Sequence, residues 1–338
     1  MKEKPEEANW PSVSVFVAAR NEAESIETCL RALQSQTYPG SWEVWVADDH
    51  SRDKTAEIAG RFCQDLSNFN FIQVPEPQAN VEGKALALAI IAQKATGDLF
   101  LICDADMEMP ENWMVSLVRE MKTRKVDLIN GTTTTKGENI FSVLQGIDWL
   151  LPQGTFAWMS HLNITYTAMG NNMAISRKAY ESTGGYLNLP FSLTEDFELF
   201  KQAKEKGFRL IHYFNTSVLG YSEPEKTMSD WVTQHVRWMV GFMQLPFSQQ
   251  WVFYAQLIFY PLVFLSFFVE MYVATAMLQC LFLLKMLYDA ALLAFVSKWR
   301  FIPFLPLYQL VWWPFYMTCL LRFHFSRTIV WKDRVWGK

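Results

Sequence analysis

The chain has 338 residues, 51% hydrophobic and 15% aromatic, with a formal net charge of −4. That length accommodates a large core and, at roughly 100–200 residues per domain, about two domains. The five cysteines (29, 63, 103, 280 and 319) are scattered, with no Cys-x-x-Cys, so neither a disulfide framework nor a zinc site is supported. Val13 to Ala19 is a β-rich run broken by Arg20-Asn21-Glu22, and Ile26, Leu30 and Leu33 then recur at helical spacing over Glu24 to Gln36. Trp42 to Ala47 reads as a second strand ending at Asp48-Asp49, Ser51 to Leu66 as a helix, and Phe69 to Val74 as a strand stopped by Pro75 and Pro77. An Ala/Leu-rich helix over Gly83 to Lys94 precedes a fourth strand over Leu99 to Cys103, and Pro110 opens another helix. Strands alternating with helices of this length predict βαβ units and a mostly parallel sheet.

In such sheets ligands bind beyond the carboxyl ends of the strands. Three predicted strand ends carry acids: Glu22, Asp48-Asp49 and Asp104-Ala105-Asp106. Two carboxylates one residue apart at a strand mouth destabilise each other unless a cation or proton intervenes. Mg²⁺ and Mn²⁺ suit such oxygen ligands, with substrate phosphates and water completing the shell. Asp104 and Asp106 therefore read first as a metal-bridged pyrophosphate site, and second as a solvated acidic pair. Lys84 at a helix start is unfavourable against the positive end of the dipole unless an anion lies nearby. Capping explains Glu22 nearly as well as a ligand role does. Thr194 is placed to cap a helix with Glu195 and Asp196 in its first turn. The histidines at 50, 161, 212 and 235 show no metal spacing and read as structural.

Residues 251–338 hold eight Lys/Arg against three Asp/Glu, a balance of +5, which leaves −9 for residues 1–250. An acidic front and a basic, Trp-rich back argue against nucleic-acid binding and for a catalytic domain joined to a membrane anchor. Residues 251–269 and 301–321 carry no charge, and such stretches are membrane-span candidates. Glu270 marks a turn and 271–296 a return, with Lys285 and Asp289 four apart and able to pair. Two or three spans are expected, and Pro303, Pro306 and Pro314 leave room for the third stretch to be re-entrant or in-plane. Trp231 reads as an interfacial anchor.

In order along the chain stand Val17-Ala18-Ala19-Arg20-Asn21-Glu22, Asp48-Asp49-His50-Ser51, Gly83-Lys84-Ala85-Leu86-Ala87, Asp104-Ala105-Asp106, Gly170-Asn171-Asn172, Thr194-Glu195-Asp196 and Gln234-His235-Val236-Arg237-Trp238. Together they resemble the family 2 glycosyltransferases, and the last two resemble its membrane-embedded subgroup: cellulose, hyaluronan and poly-N-acetylglucosamine synthases and ceramide glucosyltransferases. The resemblance implies an α/β, Rossmann-like GT-A catalytic domain over residues 1–247, followed by transmembrane or interfacial helices over 248–338. It implies a membrane-bound, inverting hexosyltransferase moving a sugar from a UDP-sugar donor to a lipid or glycan acceptor. The expected location is the cell inner membrane, with the catalytic domain in the cytoplasm. Asp196 would be the general base, with Glu195, Gln234, Arg237 and Trp238 also catalytic. Glu22, Asp48, Asp49, Lys84 and Asp104 would bind the nucleotide sugar. Asp104 and Asp106 would hold Mn²⁺ or Mg²⁺, and Gly170, Asn171, Asn172 and Trp238 would line the acceptor site. A processive β-glycan synthase is the alternative enzyme and an inactive membrane scaffold the alternative outside enzymes. The chain enters its first strand by residue 13, whereas processive synthases usually carry membrane helices ahead of it.

Overall fold

A computed structural model describes residues 10–76, 82–165, 167–190, 192–268, 272–326, 328–331 and 334–337. Pro77 and Glu270 lie outside them. The chain divides into two compact units, Met1–Thr133 with Met159–Glu223, and Thr134–Trp158 with Pro224–Lys338.

The first unit is built on a seven-stranded sheet. Its spatial order is Phe69–Gln73, Trp42–Asp48, Val13–Ala19, Leu99–Asp104, Asn172–Ser176, Leu128–Asn130, Leu210–His212. The first four are mutually parallel, Asn172–Ser176 runs antiparallel to both neighbours, and the last two pair in parallel. The alternation of side chains along each strand divides the core between two faces. Val13, Val15 and Val17 join Leu101 and Cys103 on one face, while Phe16 joins Phe100 and Ile102 on the other. Helix Ile26–Gln34 covers the first face with Ile26, Cys29, Leu30 and Leu33, and helix Gly83–Lys94 covers the second with Leu86, Ala87 and Ile91. A strand buried on both sides reads as a continuous apolar run, which is why Val13–Ala19 and Leu99–Cys103 were legible.

The strand order reverses between Val13–Ala19 and Leu99–Asp104, the switch point where open α/β sheets bind ligands. There the register sets Asp48 opposite Ala19 and Asp104 opposite Ala18.

The second unit contains the helices Met228–Phe242, Phe247–Leu265, Tyr272–Phe295 and Leu305–Phe325, with most of helix Ile140–Ser160. Helices form in all three apolar stretches. Among the described residues one of them, Tyr272–Phe295, is long and apolar enough to cross a membrane. Gln249, Gln250, Gln256 and Pro261 dilute the first, and Gln309, Pro314, Arg322 and His324 the third. In Tyr272–Phe295 only Asp289 and Leu293 are buried, and Lys285 Nζ meets Asp289 Oδ2 at 2.5 Å, the predicted pair. Trp231 departs from expectation. It is 1% exposed and stacks on Phe315, 4.0 Å between centroids, so its indole fills the unit's core instead of lying at an interface.

Candidate active site

In the first unit, acids from two separate segments gather around an ammonium group from a third. Lys84 Nζ lies 2.6 Å from Asp104 Oδ1 and 3.0 Å from Glu195 Oε1. Gly83 adopts φ +69° at the entry to the Lys84 helix, a backbone angle that favours glycine. Burial opposes the charge on Lys84, but Asp104, Glu195 and Asp196 outweigh it and hold its pKa well above the ordinary value. These carboxylates answer the dipole objection to a cation at a helix start.

Asp196 sits in the first turn of helix Glu195–Glu205. Its Oδ2 accepts the Gly170 N–H at 2.6 Å and its Oδ1 the Phe197 N–H at 2.8 Å. A Cβ at position 170 would lie 3.0 Å from Asp196 Cβ and 3.4 Å from Lys84 Nζ, so Gly170 is what lets its backbone approach this closely. Thr194 occupies the N-cap position without a capping side-chain bond; Asp196 takes a first-turn N–H instead. Burial pushes the Asp196 carboxyl up, Glu195 pushes it further, and Lys84 with the two N–H groups pulls it back, leaving it at about 6. A carboxylate near 6 is ionised at neutral pH and basic enough to accept a hydroxyl proton.

Asp106 Oδ2 accepts from Ser222 Oγ at 2.7 Å, and Glu108 and Tyr221 exchange backbone bonds at 2.8 and 3.0 Å, fixing the segment after Asp106. Among the described residues no cluster of three or more His, Cys, Asp or Glu forms a complete metal cage. Two strand-end carboxylates, one already holding a cationic nitrogen, do fit a divalent ion whose shell is completed by phosphate and water.

Asp48 is buried. Its Oδ2 accepts from Ser51 N at 3.1 Å and Gln73 Nε2 at 2.8 Å, while its buried Oδ1 has no hydrogen-bond partner among the described residues. Arg20 holds Asp49 through its carbonyl at 2.5 Å and its carboxylate at 3.9 Å. Glu22 Oε2 accepts from Ser25 Oγ at 2.8 Å, ahead of helix Ile26–Gln34. Asn171 Oδ1 is buried without a partner among the described residues. Asn172 differs from its neighbours: it accepts from Trp113 Nε1 at 2.8 Å and donates to the carbonyls of Thr132 and Val218 at 2.8 and 2.9 Å. Its side chain faces the scaffold, tying Trp113 to the backbone of Thr132 and Val218.

In the second unit, helix Met228–Phe242 buries Trp231, Val232, His235, Val236 and Met239. Gln234, Arg237 and Trp238 occupy the half-buried side. Gln234 Nε2 donates to Glu225 Oε1 at 2.9 Å, and Trp149 meets Trp238 edge-on at 4.9 Å.

Three neighbours were not singled out from the sequence: Arg20, Ser222 and Tyr186. Tyr186 is 2% exposed, with no partner for its hydroxyl among the described residues. Burial first, then the nearby charges of Glu195, Asp196 and Asp104, hold the phenol well above its usual pKa, so it remains a donor. Tyr186 stands eight residues ahead of Thr194, and the turn signal Gly184-Gly185 just before it was the available clue. A buried unmet hydroxyl costs about 1–3 kcal/mol. Tyr186→Phe is therefore expected to raise the melting temperature, by about 2–4 °C per kcal/mol, while lowering turnover. Unchanged melting with unchanged turnover would show the hydroxyl to be irrelevant.

The mixed sheet, with acids at its switch point and helices on both faces, has a GT-A-like fold. The chain belongs to glycosyl transferase family 2, whose family model matches residues 14–184. Among curated relatives it is 30% identical over 243 residues to the probable glycosyltransferase YdaM of Bacillus subtilis, covering 68% of this chain and 55% of that one. It is 26% identical over 200 residues to the beta-monoglucosyldiacylglycerol synthase of Trichormus variabilis, covering 58% of this chain and 42% of that one. The chain thus spans about half the length of these relatives. Among solved structures it resembles the mannosyltransferase PcManGT from Pyrobaculum calidifontis in complex with GDP-Man and Mn²⁺. The TM-score is 0.55 at 18% identity, over 92% of this chain and 91% of that one.

Proposed function

We propose that this chain is a membrane-bound inverting glycosyltransferase that moves a sugar from a UDP-sugar to a hydroxyl of a lipid or glycan acceptor. The observation that carries the reading is the cluster of Asp104, Lys84, Glu195 and Asp196. It puts a raised-pKa carboxylate beside a cation that leaving diphosphate oxygens can use. The acceptor oxygen attacks the anomeric carbon, its proton passes to Asp196, and the bond to the nucleoside diphosphate breaks on the opposite face. Asp104 and Asp106 would hold Mn²⁺ or Mg²⁺, a Lewis acid for the departing charge. The unpaired Asp48 Oδ1 and the nearby Asp49 suit the uracil and ribose, and Glu22 lies at the neighbouring strand end. Gly170 and Asn171 suit the acceptor. Arg237 is fit for bidentate contact with the diphosphate, Gln234 shares its helix face, and Trp238 offers a ring face to a sugar.

The membrane part of the reading, with residues 1–247 catalytic on the cytoplasmic side and 248–338 anchoring, is supported by helix Tyr272–Phe295. Large exposed apolar side chains add to it, among them Phe247, Phe264, Phe268, Val273 and Leu310; exposed apolar surface on this scale marks an interaction face. Similarity to a monoglucosyldiacylglycerol synthase, the Trichormus relative, supports a lipid acceptor.

The test is a donor screen with purified protein in detergent, Mn²⁺ present or chelated, a panel of UDP- and GDP-sugars, and nucleotide release as the readout. Release from one UDP-sugar, lost on chelation, is expected. Release from GDP-sugars alone would overturn the donor assignment, and undiminished release under chelation would overturn the metal's role. A single-sugar product on lipid would exclude the polymer-forming alternative.

A further inference from the structure

Asp148, on helix Ile140–Ser160, and His235, beside Gln234 and Arg237, are each 4% exposed. His235 Nε2 lies 2.7 Å from Asp148 Oδ2, and His235 Nδ1 lies 3.0 Å from the Trp231 carbonyl. Tyr308 and Tyr316 donate their hydroxyls to Asp148 Oδ1 at 2.8 and 3.0 Å. Both tyrosines belong to helix Leu305–Phe325. The proton inventory closes. A carbonyl only accepts, so Nδ1 carries a hydrogen; one further proton lies between Nε2 and Oδ2, and the pair is neutral as a whole whichever atom holds it. A buried carboxylate without such partners would cost several kcal/mol.

The network does more than neutralise a charge. One carboxylate joins three helices, with fixed hydrogen-bond directions on both of its oxygens. The imidazole it holds packs against Trp238 at 4.7 Å and Phe315 at 4.9 Å. Trp149, the residue after Asp148, also meets Trp238, edge-on. Rotation of helix Met228–Phe242 about its axis would break the Asp148–His235 bond and the Trp149–Trp238 contact together. A half-buried motif helix held only by apolar packing would lack this angular constraint.

We propose that Asp148 is a positioning residue for sugar transfer: through His235 it fixes the rotation of helix Met228–Phe242, and with it the directions of Gln234, Arg237 and Trp238. This rests on the reading that those three side chains act on the substrates.

The test uses the full chain in detergent, with kcat, donor KM, nucleotide affinity and melting temperature measured for Asp148→Asn, Asp148→Ala and Arg237→Ala. Asparagine keeps the geometry: its oxygen accepts from both tyrosines, and its NH₂ donates to a His235 Nε2 that has given up its hydrogen. Asp148→Asn is expected within about twofold of the parent. Alanine strands the imidazole and the two tyrosine hydroxyls; kcat is expected to fall about ten- to hundredfold, the scale of small misplacements, at little-changed donor KM and nucleotide affinity. A fall in melting temperature with kcat per nucleotide-binding site preserved would mean ordinary structural support and overturn the proposal. So would Asp148→Asn as inactive as Asp148→Ala. Loss of activity in Arg237→Ala with none in Asp148→Ala sinks the positioning role alone, whereas full activity in Arg237→Ala sinks the reading beneath it. Should Asp148→Ala not fold, the double variant Tyr308→Phe/Tyr316→Phe decides: a severalfold lower kcat supports the role, and an unchanged kcat overturns it.

Discussion

Replacing Asp196 with Asn is expected to lower kcat by about 10²- to 10⁴-fold, the range over which a positioned general base contributes. The carboxylate is oriented by two backbone donors, Gly170 N–H at 2.6 Å and Phe197 N–H at 2.8 Å. An amide can satisfy only one of them with its oxygen and sets its NH₂ against the other. The substitution also removes a buried negative charge, so stability is expected to change little, and nucleotide binding is the control for a folded cleft. In the parent enzyme the base is active when ionised. With Asp196 at about 6, the rate is expected to hold above that pH and to fall as pH drops through it. An Asp196→Asn protein that retains parental turnover in membranes would end the mechanism proposed above.

The second large effect is expected from Lys84→Met. The Lys84 ammonium draws the Asp196 pKa down, while burial and Glu195 push it up. Without the ammonium, Asp196 moves further above about 6, so the acid limb of kcat/KM shifts to higher pH. The activity deficit is then larger at pH 6.5 than at pH 8.5. Asp104 and Glu195 also lose the partner they share, and removing one member of a buried ion pair costs about 3–5 kcal/mol, discounted here because Asp104 is about a third exposed. A lower melting temperature should therefore accompany the shift. The comparison with the parent removes the donor's own ionisation. An unmoved acid limb would show that Lys84 does not tune the base.

The catalytic fold was legible because its signals are local. Strand Val13–Ala19 and helix Gly83–Lys94 have the limits predicted for them, since a doubly buried strand is an apolar run and its neighbouring glycines and acids punctuate it. Helix Ile26–Gln34 begins two residues later than the periodicity suggests, because Asn21 turns at φ +53° and the backbone of Glu22 takes the first amides. Asp104 was read from its place at a strand end, Glu195 from a helix's first turn and a family motif, and Lys84 from its unfavourable place at a helix start, but their meeting was not legible: nothing in a linear spacing of 20 or 111 residues says that Lys84 sits between Asp104 and Glu195. The same limit hid Tyr186 and the pairing of Asp148 with His235, 87 residues apart. Trp231 was misread because a tryptophan near apolar helices has the same composition signal whether it lies at an interface or inside a core. The antiparallel strand Asn172–Ser176 was beyond the alternating pattern altogether, since strand direction is set by the crossover connection and not by the residues of the strand.

The sharing of Lys84 between two acids has a thermodynamic corollary. If Asp104 helps hold a divalent ion as proposed, a free ion would have to compete with Lys84 for it, whereas a diphosphate bound with the ion would offer Lys84 a replacement anion. On that reading, metal affinity and nucleotide affinity would be tied, each raising the other by the same factor.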